Sequence, residues 1–336
     1  MATNFWLQLK HPILALAPME GVTDSAFRLL CRRRGADVVY TEFMAAEAIT
    51  HGAKSVLAKM RFVAEERPVV CQIFGKSPEA FATAAKTIED LGFDGIDLNF
   101  GCPARKVVSH GAGVALLRDP QYARRLVEAA LERITIPLSI KVRTSIRKES
   151  KDADPGNPER YTALQLIEAI KGLPVHAIMV HGRGYEQGHS GDIDTDMIRQ
   201  VKAAFPGIVL ANGGITTPAG TADMLDRTGA DGVGIARGAW GQPWIFRQSR
   251  ELLSTGRFIP ANPDDVVSAI IEHAKLLNEL KGAYGLLEFR KHFGYYVTGF
   301  PGAAQWRRQA VTVSTIADVT KLANAIGNQL KEIPPA

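Results

Sequence analysis

The chain has 336 residues, 46% hydrophobic and 22% charged, with 40 Lys and Arg against 35 Asp and Glu for a formal charge of +5. That composition excludes a disordered or fibrous chain, and its modest positive balance suits a polyanionic partner without requiring one. The three cysteines, Cys31, Cys71 and Cys102, lie far apart, with no Cys-x-x-Cys and no paired His at ligand spacing, so neither a disulfide framework nor a metal site is expected.

Residues 1–6 lack the basic stretch and apolar run of a signal peptide, and no run approaches the roughly 18 apolar residues of a membrane span, so a cytoplasmic protein without membrane association is expected. Apolar or β-branched runs then recur at 13–19, 37–42, 68–75, 95–101, 137–145, 177–183, 208–214 and 232–239. Helical patterns separate them, and two of these, 78–91 and 218–228, open on proline, which suits a first helical turn. Eight βα units with strands apolar on both faces predict an α/β fold, a TIM (β/α)8 barrel, over 1–249. The alternative, a doubly wound sheet, lacks its Gly-x-Gly-x-x-Gly turn after the first strand. The breaker-rich stretch 147–158 reads as a long loop on the catalytic face. From residue 250 strand signals cease, Pro260, Pro263 and Pro301 punctuate the chain, and 264–280 and 315–330 show helical periodicity. A small all-helical domain over 250–336 is expected.

Polar residues crowd the strand ends, where barrels keep their chemistry. They are Pro18, Met19 and Glu20 after the first strand, Gln72 on the third, Asn99 and Cys102 on the fourth, Lys141 and Arg143 on the fifth, and His181 and Arg183 on the sixth. Asn212, Gly213 and Gly214 follow on the seventh, and Ala236 and Arg237 on the eighth. Gly101 and Pro103 predict a sharp turn that displays the Cys102 thiol, against the alternative of a small core hydrophobe. The turns at 212–214 and 236–238 fall where barrels bind phosphate through backbone N–H groups, with Arg237 adding a charge-assisted contact; tight-turn glycines beside a solvent-facing Arg would give the same pattern.

Gln72 can donate and accept along a flavin pyrimidine edge, and Lys141 can place positive charge where a flavin gains electron density on reduction. A single phosphate site without a pyrophosphate motif makes FMN the economical cofactor, with NADPH as a transient reductant for which no motif is visible. Over 281–308, five basic residues (Lys281, Arg290, Lys291, Arg307, Arg308) interleave with aromatics, a pattern that suits nucleic acid and equally a solvated helix face.

The ordered set Pro18-Met19-Glu20-Gly21-Val22-Thr23-Asp24, Gln72-Ile73-Phe74-Gly75, Asp97-Leu98-Asn99-Phe100-Gly101-Cys102-Pro103, Lys141-Val142-Arg143, His181-Gly182-Arg183 and Asn212-Gly213-Gly214-Ile215 resembles the tRNA-dihydrouridine synthases over nearly the whole chain. Arg290-Lys291-His292 with Tyr295 looks like that family's C-terminal RNA-binding region. The resemblance implies bound FMN, NADPH as electron source, tRNA as partner with no obligate protein partner, and reduction of the C5=C6 bond of particular uridines. It implies Cys102 as the general acid at C5, Asn99 on the uracil edge, and Lys141 with Arg143 on the carbonyl side. His181 and Arg183 would hold flavin or nucleotide phosphate, with Pro18, Met19, Glu20, Gln72, Asn212, Gly213, Gly214, Ala236 and Arg237 around the cofactor, and Arg290 and Lys291 on tRNA. One position departs from the pattern: Ala236 stands where the family usually has Gly, which phosphate binding tolerates if the local φ is negative. Two other readings stay open, an FMN barrel reducing a small metabolite and a non-catalytic RNA-binding barrel.

Overall fold

The structure is a computed structural model that describes residues 4–148 and 159–333, so the expected loop at 147–158 lies, from residue 149 onward, outside the described residues. Eleven strands form: β1 (Ile13–Leu16), β2 (Val38–Tyr40), β3 (Met44–Ala45), β4 (Val69–Phe74), β5 (Gly95–Phe100), β6 (Leu138–Arg143), β7 (Ser145–Arg147), β8 (Arg160–Thr162), β9 (Val175–His181), β10 (Ile208–Asn212) and β11 (Gly232–Ile235). Eight of them run parallel in the ring β1-β2-β4-β5-β6-β9-β10-β11, which closes with Ile13 opposite Gly232 and Leu16 opposite Ile235. This is the expected (β/α)8 barrel. The sequence pattern did not separate β3, which lies beside β4, or the antiparallel pair β7–β8 outside the ring.

Side chains that point into the ring, among them Ile13, Ala15, Tyr40, Val70, Met179 and Leu210, fill its interior together with Trp6 from the turn Phe5–Gln8. Outward-facing residues such as Leu14, Val39, Ile96 and Val209 pack under the surrounding helices. Those helices start where their caps dictate. The Ser77 hydroxyl accepts from Ala80 N at 3.2 Å to open Pro78–Asp90, and Thr217 accepts from Gly220 N at 3.0 Å to open Pro218–Thr228. The apolar run 232–239 stops being strand at Ile235, because Arg237–Ala239 tightens into a 3-10 turn. A Cβ on Gly238 would fall 2.1 Å from the Ile215 carbonyl oxygen, so only glycine allows that approach.

The expected division at 249/250 falls inside the helix Ile245–Thr255, which packs on Pro218–Thr228 and belongs with the barrel. The helical tail then comprises Pro263–Lys281, Ala283–Tyr296, Ala303–Ala310 and Ile316–Glu332. Ala283–Tyr296 was not expected as a helix. It buries Leu286, Phe289, His292, Phe293 and Tyr296 along one face, but Tyr284, Leu287 and Tyr295 stand exposed outside it and a histidine lies within it, so residue type does not mark the stripe. The tail is tied to the barrel by Glu272, which accepts from Arg33 and Arg34 at 2.8 Å, and by Lys281, whose Nζ reaches Asp24 at 2.8 Å. Among the described residues no helix is long and apolar enough to cross a membrane.

Among the described residues one ion pair is wholly buried. Arg28 donates through Nε to Glu66 at 2.6 Å and through Nη1 and Nη2 to the carbonyls of Thr23 and Arg61 at 2.8 Å, while Glu66 also accepts from Ser25 Oγ and Val63 N. Removing one partner strands the other charge in the core. Glu66→Ala should therefore lower unfolding stability by about 3–5 kcal/mol in urea titration, and a loss below about 1 kcal/mol would mean that Arg28 finds water instead.

Candidate active site

A cavity of about 820 Å3 opens at the C-terminal ends of the barrel strands. Every expected site residue on the barrel lines it, from Pro18, Met19 and Glu20 after β1 to Ala236 and Arg237 after β11. Arg290 and Lys291 do not. Arg290 lies in the tail and donates through Nε to the Val313 carbonyl at 2.8 Å, whereas Lys291 is exposed, its Nζ 3.6 Å from where a Gly21 Cβ would lie.

The side-chain oxygen of Asn99 accepts from Gly101 N at 3.1 Å and from Cys102 N at 2.8 Å, which folds the chain back at the end of β5. Its amide nitrogen donates to Gln72 Oε1 at 2.9 Å, and Gln72 Nε2 donates to Asp97 Oδ2 at 2.7 Å. Asp97 Oδ1 accepts from Ser139 Oγ at 2.6 Å. Asn99 and Gln72, expected on a uracil edge and a flavin edge, thus form one buried chain that positions the Cys102 turn. Asn99 has no acceptor capacity left and keeps one N–H; Gln72 keeps one N–H and one lone pair. The turn also does not display the thiol as expected, for Cys102 is only 7% exposed and sits in the cavity wall. Gly113, at φ +61°, presses on it from behind, where a Cβ would meet the Cys102 carbonyl oxygen at 2.7 Å. Burial pushes the thiol above its ordinary pKa and outweighs the nearby Lys141 and Arg143 charges, so Cys102 is protonated at neutral pH.

Basic groups dominate the remaining wall. Burial, and then Arg143, lowers Lys141 to about 8, and burial lowers Arg143 to about 10. His181 falls to about 2 through burial and the Lys141, Arg143 and Arg183 charges, so it offers a neutral imidazole rather than a cation to any phosphate. Three arginines grip the loop 184–191. Arg143 donates through Nη1 to the Gly184 and Gly188 carbonyls at 3.1 and 2.7 Å and through Nε to Gly101 O at 3.0 Å, which links this loop to the Cys102 turn. Arg183 donates through Nε and Nη2 to Gly191 O at 2.9 and 2.8 Å, and Arg237 donates to His189 O at 3.3 Å. Among the described residues the Arg183 Nη1 is buried without a partner, as a guanidinium reserved for an anion would be.

Asn212 is held by its Nδ2 on Gly234 O at 2.7 Å, and the chain then turns through Gly213 and Gly214 at φ +115° and +72°. Both values suit glycine alone, and a Cβ on Gly213 would lie 2.7 Å from the His181 ring. Ala236 has φ −107°, so this position does not need the left-handed conformation that favours glycine, and the negative φ that phosphate binding requires is met. The sequence reading missed Asp97, Ser139, Phe43, His189 and Trp240. Asp97 was within reach of it, two residues before Asn99 on the same strand face, but nothing in the pattern marks Phe43 or Trp240.

Burial also holds Asp97 up at about 6, against the hydrogen bonds from Ser139 and Gln72. The folded protein keeps that proton more tightly than the unfolded chain, near 3.9, so Asp97 favours folding below about pH 4 and loses that contribution as pH rises through about 6. Asp97→Asn removes the effect, and its stability should climb more steeply with pH between 4 and 6 than that of wild type in denaturant titrations. Parallel curves would refute it.

Residues 15–331 match the family described as dihydrouridine synthase (Dus). The probable tRNA-dihydrouridine synthase of Rickettsia bellii (strain RML369-C) is 36% identical over 297 residues, 88% of each chain. The tRNA-dihydrouridine synthase B of Pseudomonas syringae pv. tomato is 34% identical over 299 residues, 88% of this chain and 86% of its own. Two solved structures share the fold. The 6-hydroxypseudooxynicotine amine oxidase of Pseudomonas geniculata N1 has a TM-score of 0.57 at 12% identity, covering 96% of this chain and 66% of its own. Histamine dehydrogenase of Rhizobium sp. 4-9 has 0.53 at 11%, covering 94% of this chain, which spans 62% of that longer one. With the match running through barrel and tail alike, the chain belongs to the dihydrouridine synthase family.

Proposed function

We propose that the protein reduces the C5=C6 double bond of uridines in tRNA, with FMN in the barrel and NADPH as the source of electrons. The observation that carries this reading is a protonated Cys102 thiol fixed in the wall of a cationic cavity at the strand ends. The residues present fit a flavin. The cavity volume lies in the range of cofactor sites, and the unpaired Arg183 Nη1 and the backbone turn at Gly213 and Gly214 suit one phosphate. When bound, the flavin supplies the hydride equivalent that reaches uracil C6. Cys102 delivers the proton to C5, so that two hydrogens add across the double bond and the thiol is reprotonated from water. Lys141 and Arg143 provide a positive field for the negative charge that builds on the pyrimidine between these events, in a site where few dipoles must reorganise. A uridine stacked in folded tRNA reaches this cavity only by leaving its stack, and the basic tail offers phosphate contacts that offset the cost. A small-metabolite substrate would leave Lys291 and the aromatic rim of the tail without a role.

The test is the dihydrouridine content of tRNA, position by position, from cells lacking this gene and from the same cells carrying wild type or Cys102→Ala. Loss at defined positions restored only by wild type supports the reading, and unchanged content in a strain without a redundant enzyme sinks it. In purified protein, Cys102→Ala should lower the single-turnover rate by about 10²–10⁴-fold while leaving tRNA affinity within about twofold. Lys141 loses its charge as pH rises through about 8, so affinity for FMN should fall above that pH. Lys141→Arg keeps the charge, and fluorescence titration should show its affinity flat to about pH 10; the same alkaline decline in both proteins would exclude Lys141 as the cause.

A further inference from the structure

Tyr295 sits on the helix Ala283–Tyr296 one turn after Lys291, on the same side, and is 45% exposed although Phe289, Phe293 and Tyr296 around it are buried. Its ring lies flat on the Trp240 indole, with centroids 3.6 Å apart and planes 12° from parallel. Trp240 in turn lines the catalytic cavity on one side and, on the other, the groove between barrel and tail bounded by Val266 and Phe300.

Both rings are held. The indole N–H donates to His292 Nδ1 at 3.0 Å, which leaves that imidazole neutral with its proton on Nε2. The helix meets the barrel at Gly241, where a Cβ would fall 2.2 Å from the Tyr295 carbonyl oxygen. With one face covered by Trp240, the exposure of Tyr295 is its outer face and edge. Beside it, Lys291 is exposed, pairs with no carboxylate among the described residues, and reaches toward Gly21, next to the cavity residue Glu20.

An open ring face stacked on an indole of the cationic cavity wall, with an ammonium beside it that no described carboxylate pairs, matches a nucleotide, which presents one flat base and one negative charge. We infer that Tyr295, backed by Trp240, is a stacking platform for a nucleobase adjoining the reacting uridine in the RNA strand, with Lys291 taking the phosphate between them. The inference rests on the tRNA reading of the site. Every base has a π face, so the platform holds the strand without selecting its sequence, and the uridine enters the cavity while its neighbour stays outside on Tyr295.

The experiment uses the full-length, flavin-loaded protein as wild type, Tyr295→Phe and Tyr295→Leu, with substrate tRNA either intact or carrying an abasic nucleotide on one or the other side of the target uridine. Tyr295→Leu should bind intact tRNA roughly ten- to hundredfold more weakly, and Tyr295→Phe within about twofold of wild type. One abasic position should weaken wild type by a similar factor and Tyr295→Leu no further, a non-additivity that a merely structural role would not produce. Equal flavin content and equal unfolding midpoints show that all three proteins are folded, as expected for a half-exposed position. Unchanged binding by Tyr295→Leu, equal losses in Phe and Leu, or abasic effects that multiply with Tyr295→Leu would each overturn the platform. Wild type that forms no dihydrouridine in tRNA would instead overturn the reading of the site.

Discussion

An amide oxygen has two lone pairs, and both of those on Asn99 are taken by the backbone N–H groups of Gly101 and Cys102. The rest of the active face hangs on that constraint. Because Asn99 must hold its oxygen toward the turn, its nitrogen points at Gln72, Gln72 must turn its own nitrogen to Asp97, and Asp97 fastens the row to Ser139 on the neighbouring strand. No member can flip without leaving a buried donor facing a donor, which costs about 1–3 kcal/mol for each unpaired group. A thiol would otherwise rotate and drift on a loop, and here it is located by three adjacent strands, β4, β5 and β6.

The same face concentrates positive charge where little water can screen it. Lys141, Arg143, Arg183 and Arg237 depress one another or the imidazoles of His181 and His189, so the folded protein carries a repulsion that an anionic ligand relieves. Most of this strain is met by backbone carbonyls. The loop 184–191 turns four of them, from Gly184, Gly188, His189 and Gly191, toward three guanidiniums. The loop therefore balances the charge without neutralising it, since dipoles soften a cationic field where carboxylates would abolish it. The carboxylates of the neighbourhood are engaged by other groups, Glu42 by Gly21 N and Lys59, Glu20 by Lys59, and Asp97 by Gln72 and Ser139.

The barrel was legible in the sequence because strands buried on both faces leave unbroken apolar runs, and because the turns after them must hold Gly or polar residues. Gly213 and Gly214 have the positive φ that makes glycine a signal rather than a coincidence. Cys102, Lys141 and Arg183 could be picked out by chemistry and position. What could not be read was partner choice. Nothing in the order of residues says that an amide on one strand will spend part of its hydrogen bonds on the next strand, as Gln72 and Asn99 do, or that Gly113 will push Cys102 into the wall. Ala283–Tyr296 escaped for a related reason, since apolar residues on its exposed side, Tyr284, Leu287 and Tyr295, and a histidine on its buried side blur the period.

The RNA contact proposed for the tail can serve the barrel only if the two are fixed relative to each other, and the interface is built for fixity at a measurable cost. His273 and His292 are buried there with Nε2 atoms that find no partner among the described residues, and burial holds both imidazoles below their ordinary pKa. Each spends its other nitrogen on an aromatic neighbour, His273 on Tyr296 at 3.1 Å and His292 on Trp240 at 3.0 Å. Two polar rings in a core would be replaced by leucines if stability alone mattered. Leucine, however, cannot orient an indole or a phenol, and the Trp240 plane is the surface on which the Tyr295 ring lies flat. The unpaired nitrogens are thus the cost of orienting two aromatic rings, Trp240 and Tyr296, and the first of these backs the platform proposed on Tyr295.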